Sequence, residues 1–184
     1  MKKIQTIFGR NWDGDRKVFN EPIIGLSLLD DATPTEKLDG TNVRLTIRSH
    51  KVVRVEKRRN PSKREKHEGI NEPWYVDADE FSPGDKYIFE AVRSREYSEI
   101  EDGEWSGEAV GEKIQGNPLN IKGHTICLFS CEEAPILEEV PTNFDELKEW
   151  LPKQKSKFGN DCPIEGIVWH CENGDMYKIK VKDF

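Results

Sequence analysis

The chain has 184 residues, of which 35% are hydrophobic and 34% charged, and it carries a net charge of −7 at pH 7. That length suits a single domain, 1–184, with a real core under a polar surface. No apolar run approaches the ~20 residues that span a bilayer, and the opening Met1-Lys2-Lys3-Ile4-Gln5-Thr6 lacks the apolar stretch of a secretory leader, so a soluble, cytoplasmic protein with no membrane partner is expected.

In chain order, Thr41 to Arg48 alternates, with Val43, Leu45 and Ile47 on one face and Asn42, Arg44, Thr46 and Arg48 on the other, as a half-buried strand does. Lys51 to Glu56 repeats the pattern with Val53 and Val55 inward, and Ser49-His50 makes the pair an antiparallel hairpin. Residues 51–66 hold eight Lys/Arg against two Glu, a local +6 on a chain whose remainder is −13. Such a stripe guides a polyanion even on an acidic protein, because screening confines the field to about 10 Å; the alternative is a solvated charged loop. Residues 60–82, with Pro61, Gly69 and Pro73, read as loop. Lys86 to Val92 and His124 to Cys131 read as strands, and the acidic stretch 94–107 between them as exposed. Thr142, with Asp145 after it, caps a helix whose stripe is Phe144, Leu147, Trp150 and Leu151, and Pro152 stops it. The last strands are Ile164 to His170 and Met176 to Lys182, joined at Asn173-Gly174. The class is α+β, dominated by antiparallel sheet.

Four cysteines, Cys127, Cys131, Cys162 and Cys171, include no close pair. Their spacing, even with His124 or His170 recruited, matches no structural zinc pattern, and reduced thiols in a reducing compartment are the simpler reading.

The closing hairpin has chemical content. If Asn173 and Gly174 form a two-residue turn, Trp169 faces Lys178, Ile167 faces Lys180 and Glu165 faces Lys182. Glu165, Lys178, Lys180 and Lys182 then share one face. An odd change of loop length breaks this arrangement, and the alternative is a solvent face whose pairs add little stability.

Upstream stands Thr35-Glu36-Lys37-Leu38-Asp39-Gly40-Thr41-Asn42, with Lys37 in a loop just before a strand and Gly40 allowing tight backbone at its entrance. Alone, Lys-x-Asp-Gly is a surface turn. Downstream follow Gly107-Glu108-Ala109-Val110-Gly111, then Lys113-Ile114-Gln115-Gly116-Asn117, then Glu165-Gly166-Ile167-Val168 and Lys178-Ile179-Lys180. A lysine that attacks a phosphorus atom must be neutral, and at an ordinary pKa of ~10.4 very few are so at pH 7. A neighbouring cation, such as Lys178, Lys180 or a hydrated metal, disfavours the protonated form and offsets phosphate charge in the transition state.

In this order the segments resemble the covalent nucleotidyltransferase superfamily of RNA ligases, DNA ligases and mRNA capping enzymes, and most closely the RNA ligases of the phage RNA ligase 2-like type. The resemblance extends to the opening TIFGRNWDG and the closing KIKVKDF. It implies an antiparallel-sheet-rich nucleotidyltransferase (ATP-grasp-like adenylation) domain with few helices. It implies an ATP-dependent RNA ligase that forms lysyl-AMP on Lys37, passes AMP to an RNA 5′-phosphate and joins that end to a 3′-hydroxyl. It also implies roles. Glu36 lies beside the adenine and offers backbone groups, Asn42 lies near ribose or phosphates, and Arg58 touches phosphate. Glu108 bonds the ribose hydroxyls and Phe129 stacks on the base, for which plain core packing is the alternative. Glu165 helps hold a hydrated Mg²⁺ (or Mn²⁺), and Lys178 and Lys180 match the family's Lys-x-Lys, with Lys182 an extra lysine beyond that motif. Asp39 fits the general pattern, although some phage enzymes differ there. No carboxyl-terminal OB-fold or helical domain is seen after Lys182, which puts the gripping of RNA in doubt. A DNA ligase or capping-type nucleotidyltransferase domain, or an inert nucleic-acid-binding homologue, are the alternatives.

Overall fold

The computed structural model describes residues 3–129 and 133–184. Its elements, in order, are β1 (Gln5–Thr6), β2 (Phe8–Arg10), β3 (Val18–Pro22), β4 (Thr33–Glu36), β5 (Thr41–Arg48), β6 (Lys51–Arg59), α1 (Lys63–His67), β7 (Trp74–Asp77), α2 (Lys86–Arg93), β8 (Gly103–Gly111), β9 (His124–Leu128), α3 (Phe144–Trp150), β10 (Gly166–His170) and β11 (Met176–Lys180). The class is α+β and sheet-rich, as the sequence implies. The chain forms two compact units: an inserted one, Asp39–Glu133, and a flanking one built from Ile4–Leu38 and Ala134–Phe184.

The inserted unit is a five-stranded antiparallel sheet in the order β7-β6-β5-β8-β9. The odd-numbered residues of β5 (Val43, Leu45 and Ile47) point to a core shared with Val55, Ala109, Ile126 and Leu128. Lys86 to Val92, expected as a strand, is the helix α2. Its apolar residues Ile88, Ala91 and Val92 recur at helical spacing and pack into that core. Asp85, at its start, is buried and accepts from Lys57 Nζ at 2.5 and 2.7 Å.

Three further expectations in this unit are corrected. The 60–82 segment contains α1, capped reciprocally by Ser62 and Glu65, and the edge strand β7. In 94–107, Tyr97 and Ile100 are buried and β8 begins at Gly103. The strand from His124 ends at Leu128; Cys131 lies outside the described residues.

The flanking unit holds a four-stranded sheet, β1-β11-β10-β4, antiparallel except for the β1–β11 pair, and the two-stranded ribbon β2-β3. Ile167, Trp169 and Ile179 face a core completed by Phe8, Leu147 and Leu151. Helix α3 has the expected stripe, but Asn143 caps it rather than Thr142: its side chain accepts from Glu146 N at 2.9 Å. The chain continues past Trp150 as a 3-10 turn, Leu151–Lys153, that carries Pro152. The β10–β11 register differs by one residue from the expected one: Val168 faces Lys178 and Gly166 faces Lys180. The loop is not the two-residue type. Cys171 N bonds Asp175 O and Gly174 N bonds Cys171 O, with Gly174 at φ 83°, a three-residue loop ending in a left-handed glycine. Among the described residues, no helix is long and apolar enough to cross a membrane.

Candidate active site

Lys37 leaves β4 still in register. Ile167 faces Glu36, and one step on Lys37 N donates to Gly166 O at 2.9 Å. Gly166 in turn faces Lys180. Lys37, Gly166 and Lys180 therefore form a row across three adjacent strand lines, and side chains in such a row project to one side. The middle member has no side chain. A Cβ at 166 would stand 2.1 Å from Ile179 O and 2.8 Å from Lys180 Cα, so only glycine permits this approach.

The adjacent Glu165 carboxylate bridges the two amines. Lys37 Nζ donates to Oε2 at 2.5 Å and Lys180 Nζ donates to Oε1. Glu165 immediately precedes β10, its carbonyl accepts from Val181 N at 3.0 Å, and its carboxylate reaches both amines although the register is shifted. Lys182, expected on the same face, lies in the 3-10 turn Val181–Asp183 and is exposed. Lys178 lies two residues before Lys180 on the same side of β11 and is half-buried.

Burial alone would raise the pKa of Glu165. The charges of Lys37 and Lys180 and their hydrogen bonds outweigh it and hold the carboxyl below its ordinary value. The carboxylate stays ionised at neutral pH and keeps both amines oriented.

Glu36 points to the other face, with Ile167. It is 2% exposed, and its carboxylate is fully engaged. Ser156 Oγ donates at 2.5 Å, Lys157 N at 2.8 Å and Phe158 N at 3.3 Å. Its own N–H donates to Pro135 O at 2.8 Å. Glu36 thus anchors the loop 156–159 directly beside the lysine. Nothing local in the chain marks Ser156 as its partner, because 120 residues separate them.

In the inserted unit the remaining candidates share the sheet face opposite the core. The cross-strand pairs Asn42–Glu108, Glu108–Cys127, Arg44–Glu56 and Arg58–Tyr75 define it. Glu108 accepts from Gly40 N at 3.2 Å and from Asn42 Nδ2 at 3.5 Å. A Cβ on Gly40 would meet Ala109 O at 2.2 Å, so the glycine serves a close strand approach. Arg58 is exposed and makes no ion pair among the described residues, whereas its neighbours Lys57 and Arg59 pair with Asp85 and Glu65. Phe129 is half-buried just past β9.

Sequence reading missed two contributors to this face. Tyr75 Oη donates to Asn42 Oδ1 at 2.8 Å and lies 3.3 Å from Ser106 Oγ. Arg44 stacks over the Tyr75 ring at 4.7 Å while bonding Glu56 through two nitrogens at 2.7 and 2.9 Å. The aromatic and branched run Trp74-Tyr75-Val76 was the available signal for a strand carrying Tyr75.

Residues 96–184 match the family model for RNA ligase 1. Over 75 residues the chain is 35% identical to RNA ligase 1 of Pongo abelii, covering 39% of this chain and 22% of that protein. Among solved structures it is similar to Naegleria gruberi RNA ligase with PPi, at 16% identity and TM-score 0.51, over 99% of this chain and 59% of that one. A mutant of the same ligase with ATP and Mn matches at 15% identity and TM-score 0.52, over 97% of this chain and 59% of that one. At such identities the likeness is one of fold. The chain spans about a fifth of the curated relative and about three fifths of these solved chains. Residues 96–184 are thus similar to the RNA ligase 1 family, and the chain has the fold of RNA ligases.

Proposed function

We propose that this chain carries the nucleotidyl-transfer chemistry of an ATP-dependent RNA ligase. The supporting observation is the Lys37–Glu165–Lys180 bridge across the glycine row. In the first step Lys37 Nζ, its extra proton lost to solvent, bonds to the α-phosphorus of ATP. The bond from that phosphorus to its bridging oxygen breaks and pyrophosphate leaves. AMP then passes from the lysine to the 5′-phosphate of an RNA, and a 3′-hydroxyl attacks the activated phosphate, sealing the strand and releasing AMP. The protein's part is positioning and charge stabilisation.

Lys180 and Lys178, on one side of β11, are the cations assigned to the phosphates. On the inserted unit, Glu108 is assigned to the ribose, Phe129 to the base, Asn42 to ribose or phosphate and Arg58 to phosphate. Glu36 is assigned to the edge of the adenine through its backbone. Among the described residues no cluster of three metal-ligating side chains exists, which suits Mg²⁺ or Mn²⁺ held by one carboxylate, water and phosphate rather than by a protein cage. Glu165 would hold it, and the ion would supply charge neutralisation on the triphosphate. A cytoplasmic setting and a role in RNA repair belong to the same proposal.

The test is incubation with α-labelled ATP and Mg²⁺ followed by denaturing electrophoresis. Label that stays with the wild-type chain and is absent from Lys37→Ala supports the reading; a wild type that takes up no label sinks it.

A further inference from the structure

Beyond the lysine row, the flanking unit carries a pocket of about 420 Å³ at the end of the β2-β3 ribbon. Arg10, Asn11, Trp12, Asp13, Lys17 and Phe19 line it. Two of its walls are aromatic and open to solvent: Trp12 is 72% exposed and Phe19 43% exposed. Exposure of a tryptophan to that degree forgoes the burial that is the usual return on so large an apolar side chain.

The loop that presents Trp12 is fixed, not loose. Asn11 N donates to Lys17 O at 2.9 Å, Arg16 N to Asn11 O at 3.0 Å and Lys17 N to Asp15 Oδ1 at 3.0 Å. Arg10 Nη1 donates to Arg16 O at 2.5 Å, and its guanidinium lies 5.5 Å from the Trp12 ring centroid. Phe19 lies across Gly9, where an added Cβ would come within 2.7 Å of the ring. The backbone that carries Trp12 and the Phe19 ring are therefore set before any ligand arrives, which limits the ordering cost of binding.

The pocket is also tied to the lysine row. Arg10 Nη2 donates to Asp183 Oδ1 at 2.6 Å, and the other oxygen of Asp183 accepts from Lys180 N at 2.9 Å. Lys17 Nζ donates to Lys182 O at 3.0 Å.

The lining chemistry selects the ligand. Two cations are balanced by Asp13 and Asp15, so the pocket has no net attraction for phosphate. Flat aromatic walls take a planar π system, and Asp13, which makes no hydrogen bond or ion pair among the described residues, can accept from an exocyclic amine. We propose that this pocket holds an unpaired nucleobase of the RNA strand, stacked on Trp12. The proposal rests on the RNA ligase reading for the identity of the polymer.

The experiment uses the full chain, a single-stranded RNA oligonucleotide with a 5′-phosphate, and the variants Trp12→Ala and Trp12→Phe. Binding is followed by filter retention and by tryptophan fluorescence; lysyl-AMP formation is measured separately without RNA. RNA should quench the wild-type emission, and Trp12→Phe should lose most of that quench while binding nearly as tightly. Trp12→Ala should bind about tenfold more weakly or worse, with its circular dichroism and its lysyl-AMP formation unchanged. Equal RNA affinity in wild type and Trp12→Ala, or a wild type that binds no RNA, overturns the pocket. A chain that quenches with RNA but never forms lysyl-AMP overturns the ligase reading and leaves the pocket standing.

Discussion

Lys37 and Glu165 are 128 residues apart in sequence, yet Nζ and Oε2 meet at 2.5 Å. The same carboxylate holds Lys180 with its other oxygen. One anion thus sets the direction of both amines, and removing its charge leaves two cations facing each other. Glu165→Gln should fold at neutral pH and form lysyl-AMP about a hundredfold more slowly. Labelled-ATP time courses check this; a rate equal to wild type would show that Glu165 only packs.

The pH dependence follows from the same bridge. The folded-state pKa of Glu165 lies below its ordinary value, because Lys37 and Lys180 outweigh burial. Its contribution to stability is therefore complete above an ordinary carboxyl pKa of 4.5 and is lost as pH falls through the lower folded value. In urea unfolding, wild type should exceed Glu165→Gln by about 2 kcal/mol at pH 7. The gap should narrow as the pH falls below 4.5. A gap that widens on acidification contradicts the assignment.

Gly166→Ala tests the row itself. The new methyl would lie 2.1 Å from Ile179 O, a backbone atom that cannot turn aside. The β10–β11 pair must separate locally, at a cost of about 1–3 kcal/mol, and the amines of Lys37 and Lys180 lose their common carboxylate. A lowered melting temperature together with a large loss of label is expected; a variant as stable as wild type would refute the close approach.

On the inserted unit, Tyr75 is a positioning residue for Asn42. Its hydroxyl fixes Oδ1, which leaves Nδ2 turned to Gly107 O and Glu108. Tyr75→Phe should cost about 1 kcal/mol of stability and raise the KM for ATP more than it lowers kcat. Combined with Asn42→Ala, its effects should be non-additive by about 0.5 kcal/mol or more. Strict additivity would mean that the two side chains act separately.

What the sequence disclosed depended on how local its cause was. The alternation in 41–48 reported β5 faithfully, since one face of that sheet meets the core, whereas in β6 a register shift opposite Thr46 and Ile47 leaves Val53, expected inward, 61% exposed and sets Val52 against the core in its place. Lys86 to Val92 misled because its aromatic and branched residues favour strands, whereas Ile88, Ala91 and Val92 already lay at helical spacing. The closing register slipped because Asn-Gly suggested a two-residue turn, and the loop that formed has three residues with Gly174 as its left-handed member. The meeting of Glu165 with Lys37 and Lys180 survived that slip. Alternation alone could not have foretold it. The buried anchor of Glu36 on Ser156 was illegible, as both partners read as ordinary surface residues until the chain folds.

The central claim is that one particular amine carries the nucleotide. Mass spectrometry of peptides from the full chain, after incubation with ATP and Mg²⁺ without RNA and digestion under conditions that preserve phosphoramidates, reads this directly. The account predicts AMP on the peptide containing Lys37, discharged when pyrophosphate is added back. AMP on any other residue, or an unmodified Lys37 peptide alone, would contradict it.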